Sequence, residues 1–370
     1  MSEPRYPAAR AVAPAVHAHF ARHLAPSRPA PDPQIIEAVI DAAFWASLRR
    51  EEGYVPRISI ALLSPEEAAT PLHFERPLPL TPTALVPVAP AVDRPGIHLG
   101  VWPQQGELVV WGTTWSVPPY CFVLEVNAPG LLVIKHHRDG AGKFVNVAVL
   151  EGDHVKIIDE QASTLPDCPA LLTSLLGFHP SRGGDRAAIV LVELAVSMRA
   201  HGRGGTLLIV PQQSTSWQAS IVQPVSYAVR PPFSTLATLV RRTSEEPNRG
   251  EWQDELEDAI RAVAGLTAVD GATVINDEYE LLAFGAKIAR RKGSPSVERV
   301  TLTEPVLDNQ PIVTHPTEIG GTRHLSAIQF VHDQRGALAL VASQDGRFTI
   351  FAWSDCEEVV HAHRVEALLL

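Results

Sequence analysis

The chain has 370 residues, and 31 Lys and Arg against 41 Asp and Glu give a net charge of −10. The 45% of hydrophobic residues exclude a chain disordered throughout, and the acidic balance argues against general nucleic-acid binding, which normally needs a basic face. No apolar run reaches the ~20 residues that span a bilayer, and the three scattered cysteines fit a reducing compartment, so we expect a cytoplasmic protein that does not bind membranes.

The first half predicts a β-rich module behind a flexible arm. Residues 1–31, rich in Ala, Pro, Arg and His, predict the arm, with at best a short helix near its end. A helix follows, because Asp32 is suited to cap it, Pro33 fits its first turn, and apolar residues recur on one face until Gly53. From residue 55 to 159, short β-branched runs between Pro, Gly and Asp turns predict strands. For this module, residues 32–160, the strand pattern does not distinguish a sandwich from a half-barrel.

The second half predicts a different architecture. Polar residues, Pro and Gly at 161–185 predict a linker. Residues 186–370 then interleave helices with strands, including a helix at Ile189–Met198, a buried strand at Thr206–Val210 and a hairpin at Ala272–Phe284. Such interleaving predicts an α/β domain with a mixed sheet, so the fold class of the whole chain is α+β or α/β.

Two motifs in this half carry residue types that bind phosphate or metal. Asp270-Gly271-Ala272 sets a carboxylate beside a residue without a side chain, so a phosphate or a metal ion can approach the backbone. Further along, Gly320-Gly321-Thr322-Arg323-His324 opens a predicted helix, whose first N–H groups and arginine favour an anion. Taken singly, the first motif is also a common turn and the second an ordinary helix start.

In this order the motifs resemble those of the diadenylate cyclase domain, whose signatures are Asp-Gly-Ala, then Gly-Thr-Arg-His-Arg, then a Ser-Glu-Glu-Thr-Gly turn after a strand. Ser343-Gln344-Asp345-Gly346 stands for the third signature here. The resemblance covers residues 185–355. It departs from the family at Leu325, which replaces the second arginine, and at the shortened serine turn.

The resemblance implies an enzyme that condenses two ATP molecules into cyclic di-AMP and pyrophosphate. Because each domain holds one ATP and two domains face each other, self-association is required. Catalytic roles are expected for Asp270, Arg323 and His324, and Asp270 is the expected ligand of Mg²⁺ or Mn²⁺. The other expected nucleotide-binding residues are Gly271, Ala272, Gly321, Thr322, Ser343 and Asp345.

Two alternatives stay open. A charge-assisted hydrogen bond contributes about 1.5–3 kcal/mol, so the loss of an arginine at Leu325 also fits a degenerate domain that binds nucleotide without turnover, as a sensor or scaffold. A nucleotidyltransferase with another base preference or a linear product is the third possibility.

Several other patterns are not expected to be functional. His17, His19 and His23 lie in the predicted arm with no carboxylate beside them, so we expect surface residues rather than metal ligands, and the same holds for His361 and His363. Gly142-Lys143 lacks the Ser or Thr of a Walker A loop and predicts a hairpin turn. The glycines at 202–205 precede a strand, which is the wrong side for a dinucleotide fingerprint.

The first half resembles a sensor domain called DACNV, which is found fused to cyclase domains of this type. The resemblance rests on the stretch from RPGIHLGVW through GELVVWGTT to KFVNVAVLEGDHVKIIDE. It implies that this module binds a small-molecule ligand, which it does not identify, and regulates the second domain.

Overall fold

The chain divides into two compact units, residues 1–159 together with Leu370, and residues 160–369. The structure is a computed structural model, and the residues it describes are 4–24, 29–50, 53–137, 144–160, 172, 186–242 and 249–370. The predicted linker, apart from Leu172, and the predicted Gly142-Lys143 turn lie outside the described residues. None of the described helices is long and apolar enough to cross a membrane.

The first unit is one eight-stranded sheet with helices packed on one face. Its helices are α1 (Pro7–His23), α2 (Pro33–Ser47) and α3 (Pro82–Val88). Its strands are β1 (Ser59–Leu62), β2 (Pro71–Pro79), β3 (His98–Gln104), β4 (Glu107–Thr114), β5 (Phe122–Ala128), β6 (Leu131–His137), β7 (Phe144–Glu151) and β8 (His154–Ile157). The order β2-β4-β3-β1-β5-β6-β7-β8 is antiparallel except where β1 pairs with β3. The predicted β-rich module is thus a single sheet covered by helices, rather than a sandwich.

The prediction of a flexible arm over residues 1–31 is wrong, because α1 packs on the sheet. Its apolar residues recur every three or four positions, and Ala9, Val12, Val16 and Phe20 are fully buried. Burying one such large side chain stabilises the fold by about 1.5–3 kcal/mol. This tertiary packing supports a helix that contains Pro14, a residue that weakens an isolated helix.

The predicted cap of α2 is confirmed. The Asp32 carboxylate accepts a hydrogen bond from the Gln34 N–H at 2.7 Å, and Pro33 occupies the first turn. The helix ends at Ser47 rather than near Gly53. Its buried face belongs to the same core as α1 and the central strands.

The second unit is a nine-stranded mixed sheet between helices, which confirms the predicted architecture. Its helices are α4 (Arg186–Ala200), α5 (Thr235–Arg241), α6 (Arg249–Leu266) and α7 (Thr322–Asp333). Its strands are β9 (Gly205–Val210), β10 (Tyr227–Phe233), β11 (Ala272–Asn276), β12 (Leu281–Ala286), β13 (Val300–Thr303), β14 (Ile312–Thr314), β15 (Leu338–Ala342), β16 (Phe348–Ser354) and β17 (Val359–Arg364). Their order is β10-β12-β11-β9-β15-β16-β17-β13-β14.

The helix α7 runs alongside the central strand β9, from one end of the sheet to the other. Twelve residues at 1.5 Å give the helix about 18 Å, close to the roughly 20 Å of a six-residue strand. Arg323, in its first turn, lies at Gly204 just before β9, and Gly336, just after it, lies against Pro211 at the strand's other end. The start of α7 is therefore fixed at the amino end of β9.

Candidate functional site

Four connecting segments meet at the amino end of β9. We call them together the amino-end site, defined as residues 201–205, 267–272, 320–323 and 343–346. The strand β9 pairs with β11 in parallel, Thr206 opposite Ala272, and with β15 in antiparallel orientation, Gly205 opposite Ala342. The starts of β9 and β11 and the end of β15 are consequently adjacent.

Side chains tie these segments together. The Gln344 amide donates a hydrogen bond to the carbonyl of Arg203 at 3.3 Å, and His201 Nε2 lies 3.1 Å from Thr267 Oγ1. Burial is the main cause that lowers the pKa of His201, and the nearby Arg203 lowers it further. The loop before β9 thus contacts both the loop before β11 and the turn after β15.

Arg323 lies directly over Gly204. A Cβ atom built on Gly204 would stand 2.9 Å from Arg323 Nη1 and 3.2 Å from the Ala342 carbonyl oxygen. The φ of Gly204 is +71°, in the left-handed region that glycine adopts at little cost. The absence of a side chain at position 204 is what allows the guanidinium to reach the sheet end.

Asp270 comes to the same end, on the neighbouring strand. It precedes Ala272 by two residues, as Gly204 precedes Thr206, and Ala272 and Thr206 are paired. Neighbouring strands lie about 4.8 Å apart, so the backbone of the exposed Asp270, which leads into β11, lies beside the backbone of Gly204, which leads into β9. The segments that carry the two motifs therefore reach the same end of the sheet, and their joint action on one nucleotide stays a prediction.

Two glycines form a close backbone crossing beside Asp270. A Cβ on Gly271, whose φ is +107°, would meet the Gly285 carbonyl carbon at 2.5 Å, so only glycine fits there. The ring of Tyr227 covers Gly285 and stacks on Phe284, with centroids 4.8 Å apart. With 51% of its surface exposed, Tyr227 offers an aromatic face next to the Asp270 backbone.

Ser343 and Asp345 lie in the tight turn between β15 and β16. The Ser343 N–H donates to the Arg347 carbonyl at 2.9 Å, and the Asp345 carboxylate lies 3.4 Å from Arg347 Nε. Asp345 therefore faces a cation of its own turn, while Gln344 contacts the loop before β9. Their expected nucleotide contacts stay predictions.

His324 is buried under the start of α7, not on its surface. Its Nδ1 would be 2.6 Å from a Cβ at Gly320, and its ring meets the edge of Phe351. Burial is the largest cause of a pKa below the usual value, and the Asp345 carboxylate opposes it. A neutral buried imidazole fixes the glycine turn from below, and its expected contact with phosphate stays a prediction.

The surroundings of His324 carry positive charge. Besides burial, three arginines lower its pKa, namely Arg364, Arg347 and Arg323. Arg199 adds a fourth guanidinium, whose Nε donates to the Gly346 carbonyl at 3.1 Å. A protein of net charge −10 thus concentrates four arginines around the start of α7 and the turn between β15 and β16.

Leu325 is the residue that departs from the expected motif. It follows His324 on α7 and exposes 36% of its surface, although it is apolar. The resemblance expects a second arginine at this position.

A divalent cation fits the amino-end site only with help from a substrate. Among the described residues, Asp270 does not belong to a group of three or more side chains with ligand atoms close together. Mg²⁺ is commonly held by one or two carboxylates plus substrate phosphates. Asp270 can serve in that way.

Some residues in and beside this site were not predicted to be functional. Gly204, Arg203 and Gln344 contribute through contacts between segments that are distant in sequence, and Tyr227 through an edge strand. In the sequence, the indication of a functional role for these residues is the glycine run at 202–205, which was compared only with a dinucleotide-binding motif.

One comparison, with a family model, matches part of the first unit. Residues 25–115 match the model of a family described as "Probable sensor domain DACNV". No curated protein matches the chain. Among solved structures, a match is described as "Structural Genomics; The crystal structure of the hypothetical membrane spanning protein from Bacillus cereus". That match has 15% identity and a TM-score of 0.25, and it covers 48% of this chain and 62% of the other, less than two thirds.

Proposed function

We propose that the second unit is a diadenylate cyclase-like nucleotidyltransferase that forms cyclic di-AMP from two ATP molecules, and that the first unit regulates it as a sensor. The observation that carries the proposal is Arg323 lying over Gly204, one strand from Asp270. The sensor-family match of residues 25–115 supports the regulatory part, since that family occurs in diadenylate cyclase-associated proteins.

The start of α7 supplies the phosphate contacts. Gly321 is its N-cap and provides no side-chain cap, so the first N–H groups of the helix point outward toward an anion. The Arg323 guanidinium adds a full positive charge beside them. Thr322 is exposed at the same helix start and contributes its hydroxyl.

Asp270 prepares the attacking group. The Asp270 carboxylate would hold a divalent cation together with substrate phosphates, and the cation would supply positive charge for the phosphoryl group that is transferred. The 3′-hydroxyl of one ATP forms a bond to the α-phosphorus of the other, the α–β phosphoanhydride bond breaks, and pyrophosphate leaves. The Asp270 carboxylate favours removal of the hydroxyl proton, and the same step occurs twice to close the ring.

Positioning accounts for most of such catalysis. With one ATP in each amino-end site, two chains must face each other, so activity depends on self-association. The exposed ring of Tyr227 is suited to stack on a base at the edge of the site.

The test is to incubate the purified full chain with ATP and Mn²⁺ or Mg²⁺ and to identify products by mass spectrometry. We expect cyclic di-AMP from the unaltered chain and its loss in Asp270→Asn and Arg323→Gln. Asp254→Asn, which alters an exposed carboxylate of α6, is the matched control and should retain activity. No nucleotide product at high protein concentration would refute the catalytic proposal.

The exposed Leu325 favours a second candidate, a unit that binds nucleotide without turnover. Calorimetry that detects ATP binding, together with no product, would support it. The substitution Leu325→Arg separates the two, because it should raise turnover only where the rest of the catalytic site is intact. A linear product or another base would indicate a related nucleotidyltransferase.

A further inference from the structure

Three histidines of the first unit converge between α1 and β6. His19 and His23 are one helical turn apart on α1, so their side chains lie on the same face. His136 follows Leu132 and Ile134 at alternate positions of β6, on the face that the helices cover. The correction of the predicted arm into a packed helix therefore also brings these imidazoles to the sheet.

The distances between the rings suit a common metal ion. His19 Nε2 and His136 Nε2 are 3.0 Å apart, and His19 and His23 offer ring nitrogens within 4.8 Å of each other. An imidazole nitrogen binds Zn²⁺ at about 2.05 Å, which sets two tetrahedral ligand nitrogens about 3.3 Å apart and their ring centroids about 5 Å apart. The centroids here are separated by 4.8 Å, 5.1 Å and 6.3 Å. Binding thus needs a small opening of the first pair and a movement of the His23 side chain by about 1 Å toward His136.

The surroundings of the three rings are enclosed and aromatic. His19 is 4% exposed and His136 is fully buried, whereas His23 is half-buried at the end of the helix. Tyr120 stacks on His23 with centroids 5.6 Å apart and lies 4.9 Å from the centroid of His136. Phe20 closes another side, 5.7 Å from His136. These walls hold the imidazoles in place before any ion arrives.

The close approach of two ring nitrogens points to a shared ligand. Two imidazoles that face each other through their Nε2 atoms must place one proton between them, as a donor and an acceptor. A metal ion takes the place of that proton and lets both nitrogens act as electron-pair donors.

We propose that His19, His23 and His136 form a binding site for a divalent transition-metal ion. Three imidazoles favour Zn²⁺, Co²⁺, Ni²⁺ or Cu²⁺ over Mg²⁺ or Ca²⁺, which prefer oxygen ligands. Three imidazoles leave a fourth tetrahedral position, which water, a small ligand or a further side chain completes. The bound ion joins α1 to β6 and stabilises the packing of the helix.

The experiment titrates the tag-free full chain with Co²⁺ and follows the visible absorption of the ion, then displaces it with Zn²⁺. We expect one Co²⁺ per chain, an absorption typical of nitrogen ligands, and a higher melting temperature with metal. The variants His136→Gln and His23→Gln should weaken Co²⁺ binding about 100-fold or more, since even partners outside the first shell cost 10- to 100-fold.

The matched control is His17→Gln. His17 lies on the same helix, but its Nδ1 is 2.8 Å from the Pro31 carbonyl oxygen, outside the cluster. The control should bind Co²⁺ as the unaltered chain does. His23→Gln changes a half-buried residue at a helix end, so it tests the site without removing a core side chain. Absence of Co²⁺ binding by the unaltered chain, or equal binding by His23→Gln, would overturn the proposal.

Discussion

Replacement of Gly204 by alanine tests whether Arg323 belongs to a phosphate site. The new Cβ would stand 2.9 Å from Arg323 Nη1, a distance that real Cβ atoms essentially never show. The guanidinium lies at the end of a flexible side chain, so it moves away while the strand β9 keeps its pairing. The Ala342 carbonyl, 3.2 Å from the same position, must shift by a few tenths of an ångström.

The expected magnitudes separate backbone strain from loss of the arginine. The φ of +71° costs an L-residue roughly 1–2 kcal/mol of stability. Gly202 provides the matched control, because its φ is +65° and its Cβ would meet no atom within 4 Å. Both alanine variants should therefore lose similar stability, whereas only Gly204→Ala displaces the guanidinium. Loss of a charge-assisted contact of about 1.5–3 kcal/mol lowers ATP affinity about 10- to 150-fold.

Isothermal titration with ATP and Mg²⁺ measures the affinity, and urea unfolding measures the stability of both variants. Gly202→Ala should bind ATP like the unaltered chain. Equal affinities of the two variants would show that Arg323 does not contact the nucleotide. A still lower affinity in Arg323→Gln, without loss of stability, would support the direct contact.

Three further predictions concern the fold around the sites. Phe20→Ala should cost about 3–5 kcal/mol in urea unfolding because Phe20 is fully buried, and the exposed Arg22→Ala should cost far less. Burial lowers the pKa of His98 to about 4, below the ordinary 6.5. The folding stability contributed by the neutral imidazole is therefore fully present above pH 6.5 and is lost as the pH falls toward 4. Stability should fall by about 1.4 kcal/mol per pH unit in that window, and less steeply in His98→Gln. Gly285→Ala, at φ +60°, should displace Tyr227 and weaken ATP binding, measured by calorimetry.

Local chemistry made part of the fold predictable. The Asp32 cap and the apolar spacing of α2 predict that helix, and β-branched runs predict most strands of both sheets. The strands that were not predicted are β2, β10, β13, β14 and β17, and two of them, β2 and β10, are rich in proline. Both lie at sheet edges, where proline is tolerated because no partner needs its missing N–H, and position within a sheet is not encoded locally.

The burial of several histidines was likewise not predictable from local sequence. His19, His361 and His363 were predicted at the surface, yet they are 4%, 3% and 0% exposed. His363 lies 2.7 Å from Thr303 Oγ1, a partner from a strand distant in sequence, and burial lowers its pKa to about 3. A polar side chain inside a core is compatible with the fold only when such a partner exists, and the partner is set by tertiary structure.

For the amino-end site, the order of motifs in the sequence predicts that Asp270 and Arg323 act together, and this stays a prediction, but the same motifs do not point to Gly204. Gly204 matters because the Arg323 side chain passes over it, and a sequence pattern does not show such a contact. Leu325 was recognised as a departure, and its exposure could be read only from the structure.

The location of this site at the amino ends of β9 and β11 runs against the general rule for α/β sheets, in which ligands bind at the carboxyl ends of strands. That rule depends on helices that start where strands end. Here the first turn of α7 lies beside Gly204, and the chain just after α7 lies beside Pro211. The N-terminus of α7 therefore lies at the amino end of β9, not at its carboxyl end. The carboxyl end of β9 instead meets the last turn of α7, where the Asp333 carboxylate accepts a hydrogen bond from the Arg291 N–H at 2.8 Å, beside a cavity of ≈ 220 Å³. That volume is below the roughly 300–1,000 Å³ of most ligand pockets. Helix direction and arginine placement therefore both favour the amino end for a triphosphate, and the affinities of Gly204→Ala and Gly202→Ala test this choice directly.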